Sequence, residues 1–211
     1  MNEPDVVVVA SGGGPAVVVP GAGTVVAADG GLDRAAALGL EVDVVIGDLD
    51  SVSAELLAGA EAAGARVARH PEAKDATDLE LALDEAVALG AARVLVVASD
   101  DGRLDHLLGS LLLLGSASYA GIELDALVGE AVVHVVRGTR TLAGEPGELV
   151  SLLAVGGPAA RVVTEGLAYP LTGETLDPGS SRGISNTFVG HEARIEVARG
   201  TLLVVRPGGQ A

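Results

Sequence analysis

Short, unbroken apolar runs alternate with Ala- and Leu-rich stretches of helical period through the first part of the chain, and no other feature limits the fold as much. Val6 to Val9, Val25 to Ala28, Val42 to Ile46, Ala65 to Ala68 and Val94 to Ala98 read as strands. Leu32 to Leu38, Ala54 to Ala63, Leu79 to Leu89 and His106 to Leu114 read as helices. A strand that is apolar on both faces must be covered on both faces. Strands with helices between them meet that need as a parallel sheet with helices packed on either side. From about Ala131 the texture changes to short strands set between Gly, Pro and polar turns: Val132 to Val136, Leu149 to Leu153, Arg161 to Thr164, Ala193 to Val197 and Leu202 to Val205. This part reads as a small antiparallel β domain. The change falls between Leu124 and Gly138, so the expected division is an α/β domain over residues 1–128 and a β domain over residues 129–211.

Composition narrows the function. The 211 residues, 49% of them hydrophobic and 20% charged, suffice for one sizeable core or two small ones. A net charge of −16 repels a nucleic-acid backbone or an anionic lipid surface, so neither nucleic acid nor membrane is expected as a partner. Small molecules fit better. Where such a ligand is itself an anion, as ATP is, a metal ion or a few well-placed Lys and Arg residues must neutralise it. With no Cys, the chain has no disulfide, no thiolate metal site and no Cys nucleophile, which suits a cytoplasmic location. Met1 to Asp5 carries acids rather than a basic leader, and Gly and Pro break the apolar runs well before spanning length, so neither signal peptide nor membrane helix is expected. Tyr119, Tyr169 and Phe188 are the only aromatic residues. The core must therefore be aliphatic, and a ring-stacking site has few candidates.

The acids gather where the expected strands end. In an open α/β sheet, ligands bind beyond the carboxyl ends of the strands, where loops reach a common crevice. Four such loops carry carboxylates: Ala28-Asp29-Gly30-Gly31, Gly47-Asp48-Leu49-Asp50-Ser51, Lys74-Asp75-Ala76-Thr77-Asp78, and Asp100-Asp101-Gly102-Arg103-Leu104-Asp105-His106. Residues two apart in extended chain point the same way, so Asp48 and Asp50 can present two carboxylates to one hard cation. A second reading, equally open, makes Asp50 or Ser51 the cap of the following helix. Thr77-Asp78-Leu79-Glu80 fits a capping box, which leaves Asp75 and Asp78 available to a ligand. Asp105 reads either as an N-cap or as a site residue. Arg103 reads as a surface ion-pair partner of a neighbouring acid or as a bidentate phosphate fork, and Lys74 has the same two readings. Ser11-Gly12-Gly13-Gly14-Pro15 matches no nucleotide-binding glycine pattern; it reads as a turn or as a loop whose amides approach phosphate.

Taken in order, these four loops resemble thiamine pyrophosphokinase. Gly166-Leu167-Ala168-Tyr169-Pro170-Leu171 and Gly183-Ile184-Ser185-Asn186-Thr187 are similar to that family's substrate-side motifs, so the likeness runs from about Ala27 to about Phe188. The resemblance implies an amino-terminal α/β domain with a parallel sheet, a smaller carboxyl-terminal antiparallel β-sandwich, and a homodimer with sites near the subunit interface. It implies transfer of the β,γ-pyrophosphoryl group of Mg-ATP to the hydroxyl of thiamine, giving thiamine diphosphate and AMP. Carried over by motif, Asp48 and Asp50 hold Mg2+ with Asp29 nearby. Asp75, Thr77 and Asp78 contact substrate or metal. Lys74, Arg103 and Asp105, with Asp29, serve the ATP site; Tyr169, Ser185 and Asn186, with Thr77 and Asp78, serve thiamine. Relative to the family the segment between Ser11 and Val25 is short and leaves little room for a first helix. Two other readings stand beside this one: a related metal-dependent transferase or nucleotide hydrolase with another acceptor, and a non-catalytic binder of thiamine or nucleotide.

Overall fold

Val6 to Val9 expose 3% of their surface or less. A four-residue valine run reaches that burial only with strands on both sides and side chains above and below, and the fold supplies both. The computed structural model describes residues 3–15, 17–21, 23–101 and 103–208. In chain order the elements are β1 (Val6–Val9), β2 (Thr24–Ala28), α1 (Gly31–Ala37), β3 (Val44–Gly47), α2 (Ala54–Ala63), β4 (Arg66–Arg69), α3 (Asp78–Ala88), β5 (Arg93–Ala98), α4 (Leu104–Leu114), a 3-10 turn (Ala117–Tyr119), β6 (Glu123–Val128), β7 (Ala131–Val136), β8 (Thr139–Ala143), β9 (Leu149–Glu165), β10 (Thr172–Leu176), β11 (Asn186–Thr187), β12 (Glu192–Glu196) and β13 (Arg199–Arg206). They form two units. The first runs through Ser110 and resumes at Gly121–Gly129; the second holds Leu111–Ala120 and continues from Glu130.

In the first unit the strand order is β4-β3-β2-β1-β5-β6, and every neighbouring pair is parallel. The sequence pattern does not mark β6, because Asp125 interrupts its apolar run; the acid is nonetheless buried at 7% exposure. Among the described residues between β1 and β2 there is no helix, in keeping with the short segment. Ala27, Leu32, Val45 and Leu49 form one buried cluster, against which Leu56, Leu57 and Ala60 of α2 and Val67 of β4 pack. α3 lies on β1, β2 and β3. Gly31 opens α1 hard against β1, where a Cβ would stand 2.0 Å from the Val9 carbonyl oxygen, so this position admits only glycine. No helix of the described residues is long and apolar enough to cross a membrane.

The second unit is antiparallel. β13 pairs with β7 and β9, β12 with β8 and β9, and β10 and β11 also pair with β9. The sequence suggests two separate strands at 149–153 and 161–164, but they are the ends of one 17-residue strand. Gly156 (φ 70°) and Gly157 (φ 150°), followed by Pro158, bend β9 without ending its pairing. Its inward residues Val150, Leu152, Ala159 and Val162 join Val136, Leu142, Phe188, Ile195, Leu202 and Val204 in one core.

Arg137 explains why the segment after α4 belongs to this unit. Its guanidinium donates to the carbonyl oxygens of Leu114 (3.0 Å), at the end of α4, and of Ser116 (2.8 Å) and Tyr119 (3.3 Å) in the turn that follows. Burial pulls the Arg137 pKa down, and the guanidinium nonetheless stays charged. Arg137→Met should therefore cost about 2 kcal/mol of unfolding free energy in a urea titration. A variant as stable as the parent would show that water serves those carbonyls equally well.

Candidate active site

The site is built at the carboxyl ends of β2, β3 and β4, three neighbours in the sheet. Asp29 follows β2 in a left-handed conformation (φ 48°), and Leu49, after β3, is also left-handed (φ 65°). A non-glycine residue there is strained, and such strain concentrates where a side chain must be aimed. Gly47 shows what the aiming requires: a Cβ on it would lie 2.9 Å from Asp78 Oδ1 and 3.1 Å from Asp29 Cβ. The glycine leaves room for carboxylates that close in around it.

Asp29, Asp48 and Asp78 each offer an oxygen within 4.8 Å of the others, the one such grouping of acid or imidazole ligands among the described residues. Asp29 is 8% exposed; its Oδ2 accepts a hydrogen bond from Ser51 Oγ, while its buried Oδ1 has no hydrogen-bond partner. An unsatisfied buried carboxylate oxygen, two more acid oxygens close by and a missing Cβ together suit a hard cation such as Mg2+. Asp50 stands outside the grouping and is exposed. The left-handed Leu49 breaks the extended geometry that would have aligned Asp48 with Asp50. Instead, the Asp50 amide donates to Asp48 Oδ1 at 3.3 Å.

Lys74, on the turn before α3, sets its Nζ 3.3 Å from Asp48 Oδ2 and 2.7 Å from Asp78 Oδ1. Burial by itself lowers the ammonium pKa, but the pairing with Asp78 and Asp48 outweighs it and holds the value above the ordinary one. The Asp50 amide, with Lys74 behind it, holds the Asp48 carboxyl below its usual range despite some desolvation. Asp50 is pushed the other way, chiefly by the charge of Asp48, then by desolvation and by Asp29. Two carboxylates two residues apart thus have opposite tendencies to take up a proton.

The caps resolve the other local ambiguities. Thr77 Oγ1 accepts from the Glu80 amide at 3.2 Å and caps α3, which leaves Asp78 in the first turn with its carboxylate in the cluster. Neither Asp50 nor Ser51 caps α2; Ser53 does, accepting from the Leu56 amide. Asp75 is exposed and outside the grouping. On the β5 side, Gly102 of the fourth motif lies outside the described residues. Asp105 falls within the first turn of α4 rather than at its cap. Arg103 donates to it twice, at 3.2 Å and 2.6 Å. This exposed pair lowers the Asp105 pKa and raises that of Arg103. Between the two sides lies the glycine loop after β1, held by Arg34, which donates to the carbonyls of Gly14 (2.8 Å) and Pro15. Sequence reasoning offers no role for Arg34, which belongs to no motif, and reads Ser51 as a helix cap rather than as the partner of Asp29.

In the second unit, Asn186 is 3% exposed, and its amide is engaged by backbone. Its Oδ1 accepts from the amides of Tyr169 (2.9 Å) and Thr187 (2.9 Å), and its Nδ2 donates to the Tyr169 carbonyl (2.8 Å). Asn186 therefore fixes the loop from which Tyr169 projects, 62% exposed. Ser185 beside it is left-handed (φ 57°), its amide donating to Ser151 Oγ. Ile184 and Val189 are exposed apolar neighbours in sequence.

Residues 18–125 match the family model described as thiamin pyrophosphokinase, catalytic domain, and residues 134–202 match thiamin pyrophosphokinase, vitamin B1 binding domain. The thiamine pyrophosphokinase of Bacillus subtilis (strain 168) is 25% identical over 190 residues, covering 83% of this chain and 85% of that protein. The crystal structure of the Geobacillus thermodenitrificans thiamin pyrophosphokinase is 28% identical, with a TM-score of 0.79 and 98% of each chain covered. An Enterococcus faecalis thiamin pyrophosphokinase family protein shares the fold, with a TM-score of 0.81 at 22% identity, covering 98% of this chain and 99% of that one. Since the catalytic-domain match alone takes in more than half of the 211 residues, the chain belongs to the thiamin pyrophosphokinase family.

Proposed function

We propose that the chain transfers the β,γ-pyrophosphoryl group of Mg-ATP to the hydroxyl of thiamine, releasing AMP and thiamine diphosphate. The observation that carries this reading is the meeting of Asp29, Asp48 and Asp78 at adjoining strand ends, inside the region that matches the catalytic-domain model. The second match, over residues 134–202, favours thiamine over another acceptor.

Asp29, Asp48 and Asp78 would hold Mg2+, with Asp50 beside them. Mg2+ supplies charge neutralisation for the phosphates, which an acidic site cannot provide by itself. The remaining work is positioning, because in-line attack on phosphorus needs little covalent help from protein. Lys74 and the guanidinium of Arg103 are the cations at hand for ATP phosphates, Arg103 after release from Asp105. Asp75 and Thr77, exposed on the turn before α3, are the further substrate contacts in this unit. In the second unit, which we read as a β-sandwich organised on the bent β9, Tyr169 supplies a ring for the cationic, aromatic thiamine. Ser185 and Asn186 hold its surroundings. A homodimer is the third part of the reading. It is supported by Leu104, Leu108 and Leu112, a stripe along α4 that is 76%, 54% and 53% exposed.

Incubation with Mg2+, ATP and thiamine should yield AMP and thiamine diphosphate in equal amounts; ADP with thiamine monophosphate, or no transfer, would refute the assignment. Asp48→Asn should lower turnover about a hundredfold or more with its urea midpoint little changed, because the lost carboxylate serves charge neutralisation rather than packing. Tyr169→Ala should raise the KM for thiamine about tenfold and leave that for ATP near the parent value. Equal rises in both constants would place Tyr169 outside the acceptor contact. Sedimentation equilibrium should return twice the chain mass, and Leu108→Glu should return the single mass; a parent that sediments as a monomer would remove the dimer from the reading.

A further inference from the structure

We propose that Lys74 is the resident counter-cation of the acid cluster, and that a divalent cation binds by displacing its ammonium. The inference rests on the reading that Asp29, Asp48 and Asp78 hold the metal. Lys74 Nζ lies 3.3 Å from Asp48 Oδ2 and 2.7 Å from Asp78 Oδ1, so it already contacts two of the three acids that would be ligands. An ammonium and a hard cation compete for the same oxygens and repel each other at contact distance. The side chain is only 14% exposed, so it is seated among the carboxylates rather than trailing in solvent.

One positive charge does not finish the neutralisation. Asp29 Oδ1 and Asp78 Oδ1 are both buried without a hydrogen-bond partner, and of the two Asp78 Oδ1 has the ammonium at 2.7 Å. The cluster thus has the form of a site held closed by a substitute, whose ammonium faces Asp48 and Asp78 while two buried acid oxygens still lack a hydrogen bond. Lys74 lies outside any helix, on the turn between β4 and α3, and its flexible four-carbon stem allows the ammonium to withdraw without disturbing α3, whose cap is Thr77. Once displaced, the ammonium is free for the phosphates that accompany the metal, which is how it would come to serve ATP.

A closed cycle gives the proposal two linked consequences. Removing the ammonium raises the free energy of the metal-free protein but not of the metal-bound one. The same quantity must therefore appear as lower stability without metal and as tighter metal binding. Lys74→Met should bind Mg2+ about tenfold more tightly than the parent by isothermal titration calorimetry without nucleotide. It should melt below the parent in EDTA and level with it in saturating Mg2+. Lys74→Gln, which keeps a hydrogen-bond donor but no charge, should move in the same direction on both measures. Unchanged or weaker Mg2+ binding by both variants, or a melting deficit that persists undiminished in Mg2+, overturns the displacement while leaving the metal site standing. A parent that takes up no Mg2+ overturns the metal reading, and this inference with it.

Discussion

Parallel pairing sends every turn that leaves a strand to the same edge of the sheet, and the first unit is organised around that constraint. Asp29, Asp48 and Asp78 are far apart in sequence but follow β2, β3 and β4, which are neighbours, so the sheet brings the loops that carry them to one place. Like charges brought that close repel, and the surrounding residues offset the repulsion one group at a time. Ser51 bonds to Asp29, the Asp50 amide to Asp48, and Lys74 to Asp48 and Asp78. The left-handed Asp29 and Leu49 mark where the chain is bent to keep this arrangement.

In the reading proposed above, the second unit has a different task, that of presenting a ring in a chain with three aromatic residues. Tyr119 and Phe188, each 2% exposed, are committed to packing. Tyr169 is left outside, and an exposed ring on a loose loop would lose conformational entropy on meeting a ligand. Asn186 reduces that loss in advance by bonding both the amide and the carbonyl of Tyr169, and the loop is tied again where the Ala168 amide meets the Thr187 carbonyl at 2.9 Å. Asn186 thus holds the backbone of Tyr169 and leaves the exposed ring to its neighbour.

Strands apolar on both faces were legible in the sequence because their burial leaves no other composition possible; Val6–Val9 and Arg93–Ala98 lie where the pattern puts them, to within a residue. β6 and β8 were not, because Asp125 in one and Thr139, Arg140 and Thr141 in the other dilute the apolar signal, and only pairing across the sheet makes them strands. The single β9 was hidden for the opposite reason: Gly156-Gly157-Pro158 reads as a stop, yet a bulge can absorb it. At the site, spacing identified the acid-bearing loops but not which acids meet. Pattern cannot show that Leu49 turns left-handed, and so cannot separate Asp50 from Asp48, or tell that Ser51 is drawn to Asp29 and leaves the cap of α2 to Ser53.

The first unit is discontinuous: Leu111–Ala120 belongs to the second unit, and the chain then returns for Gly121–Gly129, which contains β6. As the polypeptide leaves the ribosome, five parallel strands and all four helices emerge before the sixth strand does. Until then β5 is an open sheet edge, whose bare N–H and C=O groups are a template for pairing with other chains. No single cut divides the protein into its two units, since severing the chain after Ser110 leaves β6 attached to the wrong fragment. The closing of that edge thus depends on a stretch, residues 121–129, that contributes no carboxylate to the Asp29, Asp48 and Asp78 cluster.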